Sequence, residues 1–273
     1  MSKIKFCHIS PKAFDYHAAQ WSGIHLTLAH LVEASGPNYC MPFQDGKDII
    51  LDNSAFEMYK QGKPMYPSNM LMDMAAQINA NYIVMSDYPG EPGQKTIDAA
   101  KNLGPAFIKK GYKTFFVPQS KVGDLDDYIE TFAWALEQDW IDLIGVSILG
   151  VPNAYGVEKD NNLQRFLSRW KIMQELESRG LLNESHENKL HFLGMVDGPN
   201  EIDLVKDYAY YINSWDTSAA VWAGMNGVRF DETPTGLING KIESEVNFNI
   251  KTSDRLPDVD YNMNFINGKE CIS

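Results

Sequence analysis

The sequence predicts an α/β protein: a (β/α)8 TIM-type barrel with a short C-terminal appendage. Two observations predict it. Short apolar runs rich in β-branched and aromatic residues alternate with amphipathic stretches, which suits buried parallel strands joined by crossover helices. The 273 residues, 44% of them hydrophobic, are enough for one large core; such barrels run to about 250 residues as a single domain.

The strand candidates, in order, are Ile4–Ile9, Asp48–Leu51, Tyr82–Met85, Thr114–Val117, Leu143–Ile148, Leu190–Val196 and Tyr210–Ser214, with Val228–Phe230 as the eighth. Helical spacing runs over Ala18–Ala34. Ser68 is placed to cap Asn69–Ile78, and Asp124 to cap a run through Ala135. Asn161–Glu177 and Asn200–Val205 follow. The barrel is expected over residues 1–231. Residues 232–273 read as an extension packed on it, where Thr235-Gly236 and Asn239-Gly240 signal turns and Ile242–Ile250 alternates like a strand.

Composition narrows the setting. No run approaches the roughly 18 consecutive apolar residues that span a bilayer, and the segment Met1–Phe6 lacks the apolar region of a secretory signal. A cytoplasmic protein is expected, in the host cytoplasm if the gene is a phage's. Cys7, Cys40 and Cys271 are few and scattered, so neither a disulfide framework nor a cysteine-rich metal site is indicated. His25 and His30 are five apart rather than the four that pairs two metal ligands on a helix, so no metal is expected; His8 ends the first strand, where it could line the mouth. No phosphate-cradling P-loop occurs, and no cofactor is expected. A net charge of −12 leaves few cations for non-specific contact with phosphates, and the densest lysine group is Lys109, Lys110 and Lys113.

In a barrel the βα-loops open on one face, so catalytic groups belong at the C-terminal ends of strands. The second run leads into Asp52-Asn53-Ser54-Ala55-Phe56, the third into Asp87, and the fourth into Pro118-Gln119. The later runs lead into Ser147-Ile148-Leu149-Gly150, Gly194-Met195-Val196-Asp197 and Trp215-Asp216. Asp52 to Asp87 to Gln119 steps by about one strand–helix unit each time. Paired carboxylates with separate roles suit displacement at an anomeric carbon, one attacking and one moving protons. Asp87 and Gln119 offer acceptors and donors to the edge of a purine-like ring, and Phe56 offers a stacking face.

These residues, in this order, resemble the tRNA-guanine transglycosylase superfamily: an aromatic after an Asp-Ser-type turn (Asp52 to Phe56), a strand-end Asp87, Val117-Pro118-Gln119, the strand His191–Val196, and a late Trp215-Asp216. The resemblance spans about Ile49 to Gly227. It implies Asp216 as the nucleophile at C1′ and Asp52 as the general acid/base. Asp87 and Gln119 read the base, Phe56 stacks on it, and Gly150 and Met195 line its pocket.

Three departures stand out. Only Cys271 follows Asp216, so the family's zinc subdomain is absent; the Gly-Gly of the first motif is Ser54-Ala55; and the Gly-Gly-Leu-Ala pocket stretch is Ser147-Ile148-Leu149-Gly150. The departures and the short chain point to the deazapurine DNA-modifying relatives of phages and bacterial modification islands. The implied partners are DNA more than tRNA, a free 7-deazaguanine base, and a second copy or accessory modification proteins. The alternatives are a tRNA-type enzyme without the zinc subdomain, an N-glycosidase, a non-catalytic nucleic-acid-binding barrel subunit, and, favoured by the acidic charge, a barrel enzyme of small metabolites.

Overall fold

The computed structural model describes residues 3–195, 198–230 and 254–269. Eight strands lie in one parallel sheet in the order β1-β8-β7-β6-β5-β4-β3-β2, a nearly closed barrel wrapped by helices, which is the (β/α)8 topology. The first half runs β1 (Lys5–His8), α1 (Asp15–Trp21), β2 (His25–Leu28), α2 (Ala29–Ser35), α3 (Pro37–Cys40), β3 (Ile49–Asp52), α4 (Ala55–Gln61), α5 (Ser68–Ile78), β4 (Tyr82–Val84) and α6 (Gly93–Lys109). The second half runs β5 (Lys113–Phe116), α7 (Leu125–Leu136), β6 (Leu143–Ser147), α8 (Gly150–Ala154), α9 (Asn162–Ser178), β7 (Leu190–Leu193), α10 (Asn200–Leu204), β8 (Ile212–Thr217), α11 (Ala219–Met225) and α12 (Leu256–Gly268).

Two expectations are corrected. The helix expected over Ala18–Ala34 is a helix, a strand and a helix: α1, β2 and α2. β2 is only four residues long and wholly buried, so its His-Leu-Thr-Leu alternation is too short to stand out from the helical spacing on either side. With β2 counted, the Tyr210–Ser214 run supplies the eighth strand, and Val228–Phe230 is not a strand. The expected Ile242–Ile250 strand lies outside the described residues.

Alternation along the strands sets two layers. Phe192, Trp215 and Phe116 face the helices: the Arg169 guanidinium of α9 lies 5.2 Å over both the Phe192 and Trp215 rings, and Phe116 meets Trp134 of α7 at 5.2 Å. Their neighbours Phe115, His191, Ser214 and Asp216 therefore point into the barrel. Gly145 gives this interior layer its room. A Cβ there would sit 2.9–3.0 Å from Leu193, Phe115 and Val117.

The barrel's one unladdered junction lies between β1 and β2. Side chains take over part of the pairing there: His8 N–H donates to Ser22 Oγ (3.0 Å) and Leu26 N–H to Cys7 Sγ (3.1 Å), while Gly23 N–H reaches the Phe6 carbonyl (2.8 Å). Outside the barrel α12 packs on α11. Its Asn262 accepts from Phe230 N–H (3.0 Å) and donates to the Val228 carbonyl (2.8 Å). His8 is drawn to this helix, its Nε2 lying 3.0 Å from Asn267 Oδ1. Burial lowers its pKa to about 4.

Candidate active site

Asp52 is the last residue of β3, and Ser54 just beyond it adopts a left-handed conformation (φ 58°). That turn sends Ser54 N–H back to Asp52 Oδ2 at 2.8 Å, while Ser54 Oγ accepts from His30 N–H at 3.2 Å. A serine in this region costs about 1–2 kcal/mol that glycine avoids, so the hydrogen bonds around Ser54 offset a strain built in beside Asp52. Burial and the nearby carboxylates of Glu57, Asp216 and Asp87 push the Asp52 carboxyl well above the usual range. Glu57, in the first turn of α4, is raised as well, by burial and by Asp216.

At the end of β4, Asp87 is buried and fully engaged: Asn53 Nδ2 donates to Oδ1 (2.7 Å) and Gln119 Nε2 to Oδ2 (2.5 Å). Burial pushes its pKa up to about 6 against these donors. Asn53 is pinned in turn, donating to the Met85 carbonyl (2.7 Å) and accepting from Ala55 N–H (2.9 Å). Gln119 is buried after β5, and its Oε1 finds no donor among the described residues. Gly150 lies against that carboxamide. A Cβ at position 150 would stand 3.0 Å from Oε1 and 3.1 Å from the Pro118 carbonyl, so the glycine keeps space beside the orphaned acceptor.

Across the mouth, Asp216 projects inward from β8. Its Oδ2 accepts from His191 Nε2 (3.1 Å) and Gly194 N–H (3.0 Å); among the described residues Oδ1 accepts nothing. With Asp216 ionised, His191 carries its proton on Nε2 and Ser214 Oγ–H donates to Nδ1 (2.7 Å). The Gly194 turn is held from behind. Arg169, fully buried and paired with Glu201 Oε2 at 2.6 Å, donates to the Leu193 (3.0 Å) and Gly194 (2.8 Å) carbonyls, and Trp215 Nε1 also reaches Gly194 O (2.6 Å).

The structure thus places Asp87 and Asp216 within electrostatic reach of Asp52 and binds Gln119 to Asp87. Met195 follows Gly194, partly buried against the core. Phe56 stands 39% exposed on α4 with Lys60 Nζ 4.6 Å over its ring. Asp197 lies outside the described residues. Sequence reasoning missed Glu57, His191 and the Arg169–Glu201 pair as parts of the site. The one available signal for His191 was alternation, which puts it on the interior face with the strand-end groups. Among the described residues, no group of three or more His, Cys, Asp or Glu side chains is arranged to hold a metal ion.

An eight-stranded parallel barrel with carboxylates at the C-terminal ends of its strands is a fold common to many enzymes, and it is compatible with an active site at this mouth. No family model matches the chain, and no curated protein matches it.

Proposed function

We propose that the chain is a base-exchange transglycosylase that replaces guanine in DNA with a 7-deazaguanine derivative. The observation that carries the reading is a pair of carboxylates in opposite settings. Asp216 is gripped through one oxygen, with no donor on the other among the described residues, and Asp52 is crowded toward its protonated form. Such a split suits a nucleophile and a proton carrier.

Asp216 Oδ1 attacks C1′ of the target nucleotide. The C1′–N9 bond breaks, its electron pair leaves with guanine, and Asp52 supplies the proton that neutralises the departing base. The sugar is then an ester of Asp216. Asp52, now ionised, takes the N9 proton of the incoming base; that nitrogen attacks C1′ and releases the Asp216 carboxylate. Proton count and charge return to their starting values.

The base edge meets Gln119 Oε1, an acceptor awaiting a donor, with Asp87 holding the carboxamide in place. Gly150 leaves room for the ring, Phe56 stacks on it, and Met195 closes the far wall. DNA is preferred over tRNA in this reading on the departures from the tRNA-type motifs, Ser54-Ala55 and Ser147-Ile148-Leu149-Gly150. Residues 1–231 form the catalytic barrel in this reading, and residues 232–273 an extension packed on it.

Covalent trapping tests the proposal. Wild type and Asp216→Asn are incubated with guanine-containing DNA and with tRNA, with and without a free 7-deazaguanine, and resolved under denaturing conditions by gel and mass spectrometry. The expected result is an adduct on DNA that requires Asp216 and is discharged by the free base. Discharge by water alone makes the chain an N-glycosidase. No adduct and no exchange on any nucleic acid defeats the reading.

A further inference from the structure

Ser54 is the N-cap residue of α4, a position where a serine ordinarily accepts from the first amides of its own helix. Its side chain makes no such bond. The hydroxyl turns instead to α2, the helix that follows β2. It accepts from the His30 amide at 3.2 Å and lies 3.0 Å from His30 Nδ1. That amide belongs to the first turn of α2, where backbone N–H groups have no partner within the helix. The N-cap of α2 is Leu28, which has no side-chain bond to offer it. Ser54 caps the neighbouring helix rather than its own.

The count of donors and acceptors orients the pair. Ser54 Oγ already accepts from the amide, so its own proton goes to Nδ1, and a neutral His30 carries its proton on Nε2. Burial and the Lys63 ammonium favour that neutral ring, against the pull of Glu33. Ser54 is fully buried, and among the described residues Nδ1 is the one acceptor its hydroxyl has. The same residue carries the backbone that serves Asp52. At φ 58° and ψ 31°, Ser54 points its N–H to Asp52 Oδ2, 2.8 Å away. A glycine takes a left-handed turn of this kind unaided, whereas a serine needs a compensating hold.

We infer that His30 is a positioning residue for Asp52: through the Ser54 hydroxyl it holds the turn whose N–H fixes the direction of the Asp52 carboxyl. What Asp52 does follows the base-exchange reading; how it is held does not depend on it. Without the ring, a buried hydroxyl loses its acceptor while the left-handed strain remains. Those two costs are of similar size and fall on one residue, so the turn relaxes away from Asp52. An N–H donor favours the ionised carboxylate. Once it is lost, Asp52 keeps its proton to higher pH, with the charges of Glu57, Asp216 and Asp87 still facing it.

The test reads Asp52 directly, by NMR of the carboxyl carbons in the aspartate-labelled full chain, with Asp52→Asn to assign the signal. In His30→Ala, Asp52 should titrate at higher pH than in wild type. The alkaline limb of the exchange rate should follow it upward, and kcat should fall about tenfold as the proton carrier loses its aim, with KM little changed. Ser54→Ala cuts the same link from the other side and should reproduce these effects, which covers the case in which His30→Ala does not fold. His30→Asn, whose Oδ1 can accept in place of Nδ1, should restore the wild-type titration and most of kcat. In a Ser54→Gly background the turn no longer needs the ring, so adding His30→Ala should change nothing further. A lower melting temperature with the Asp52 titration unmoved makes His30 merely structural and overturns the inference, as does an undiminished effect of His30→Ala in the glycine background. Because the titration needs no substrate, it separates the two claims. A titration that follows His30 in a protein with no exchange on any nucleic acid keeps the positioning and defeats the chemistry. Exchange with a titration indifferent to His30 and Ser54 does the reverse.

Discussion

Among the described residues, on the β8 side of the mouth Asp216 accepts two hydrogen bonds at one oxygen, from His191 Nε2 and the Gly194 N–H; on the β3 side, Asp52 has the single Ser54 N–H and three acidic neighbours. Both are strand-end aspartates on the same barrel. What differs is the supporting layer. Behind Asp216 stands a buried Arg169–Glu201 pair that fixes the peptide donating to it. Behind Asp52 stands a strained Ser54 and another carboxylate, Glu57. Burial and neighbouring acids disfavour the charged form of a carboxyl, and that pressure falls on Asp52; the proposed division of roles between the two aspartates rests on these different surroundings.

The sharpest way to break this contrast is Asp216→Asn. Without the open carboxylate oxygen no ester forms, and exchange should fall at least about 10⁴-fold; trapping by mass spectrometry reads it directly. Asp52→Asn should come next, slowing exchange by about 10²–10⁴-fold through loss of the proton carrier. It should leave affinity for DNA unchanged, which anisotropy checks. If Asp52→Asn turned over at the wild-type rate, the division of roles would be wrong.

Arg169→Met probes the support rather than the site. It removes the guanidinium paired with the buried Glu201 carboxylate, and urea unfolding should show a loss of about 3–5 kcal/mol. Arg169→Met/Glu201→Leu removes both charges and should recover most of that. His191→Phe frees Asp216 Oδ2 from one donor, so kcat should drop by roughly 10²-fold as the nucleophile loses its aim, with KM little changed. His191→Gln, which restores a side-chain N–H, should recover part of the loss. A purely structural role for His191 would lower stability and spare kcat.

The smallest effect is expected from Glu57→Gln. On the proposed mechanism adduct formation needs protonated Asp52, so the rate should fall as pH rises through the raised Asp52 pKa. Removing the Glu57 charge lowers that pKa. The alkaline limb of the pH–rate profile should therefore move to lower pH, while the plateau rate holds. An unmoved limb would mean that Glu57 does not set the protonation of Asp52.

The sequence made one side of this comparison easier to read than the other. Asp52, Asp87, Gln119 and Asp216 follow apolar runs, and in a parallel barrel that position alone aims them at the mouth. His191 escaped because it lies inside a strand, at a place where burial is the ordinary expectation and only a partner on β8 gives it meaning. Glu57 escaped because α4 is an extra helix between β3 and the helix that completes the unit, which strand-end counting does not anticipate. β2 was hidden by its four-residue length between two helices, too short for its His-Leu-Thr-Leu alternation to stand out.

The β1–β2 junction bears on how the barrel breathes. β1, next to the chain's beginning, is laddered to β8 some two hundred residues later, while its short-range neighbour β2 is joined partly through Ser22 Oγ and Cys7 Sγ. A sulfur acceptor is weaker than a carbonyl, so the Leu26 amide should be among the first barrel amides to exchange with deuterated solvent. An opening there leaves the long-range β1–β8 ladder, in which Cys7 partners Asp216, in place.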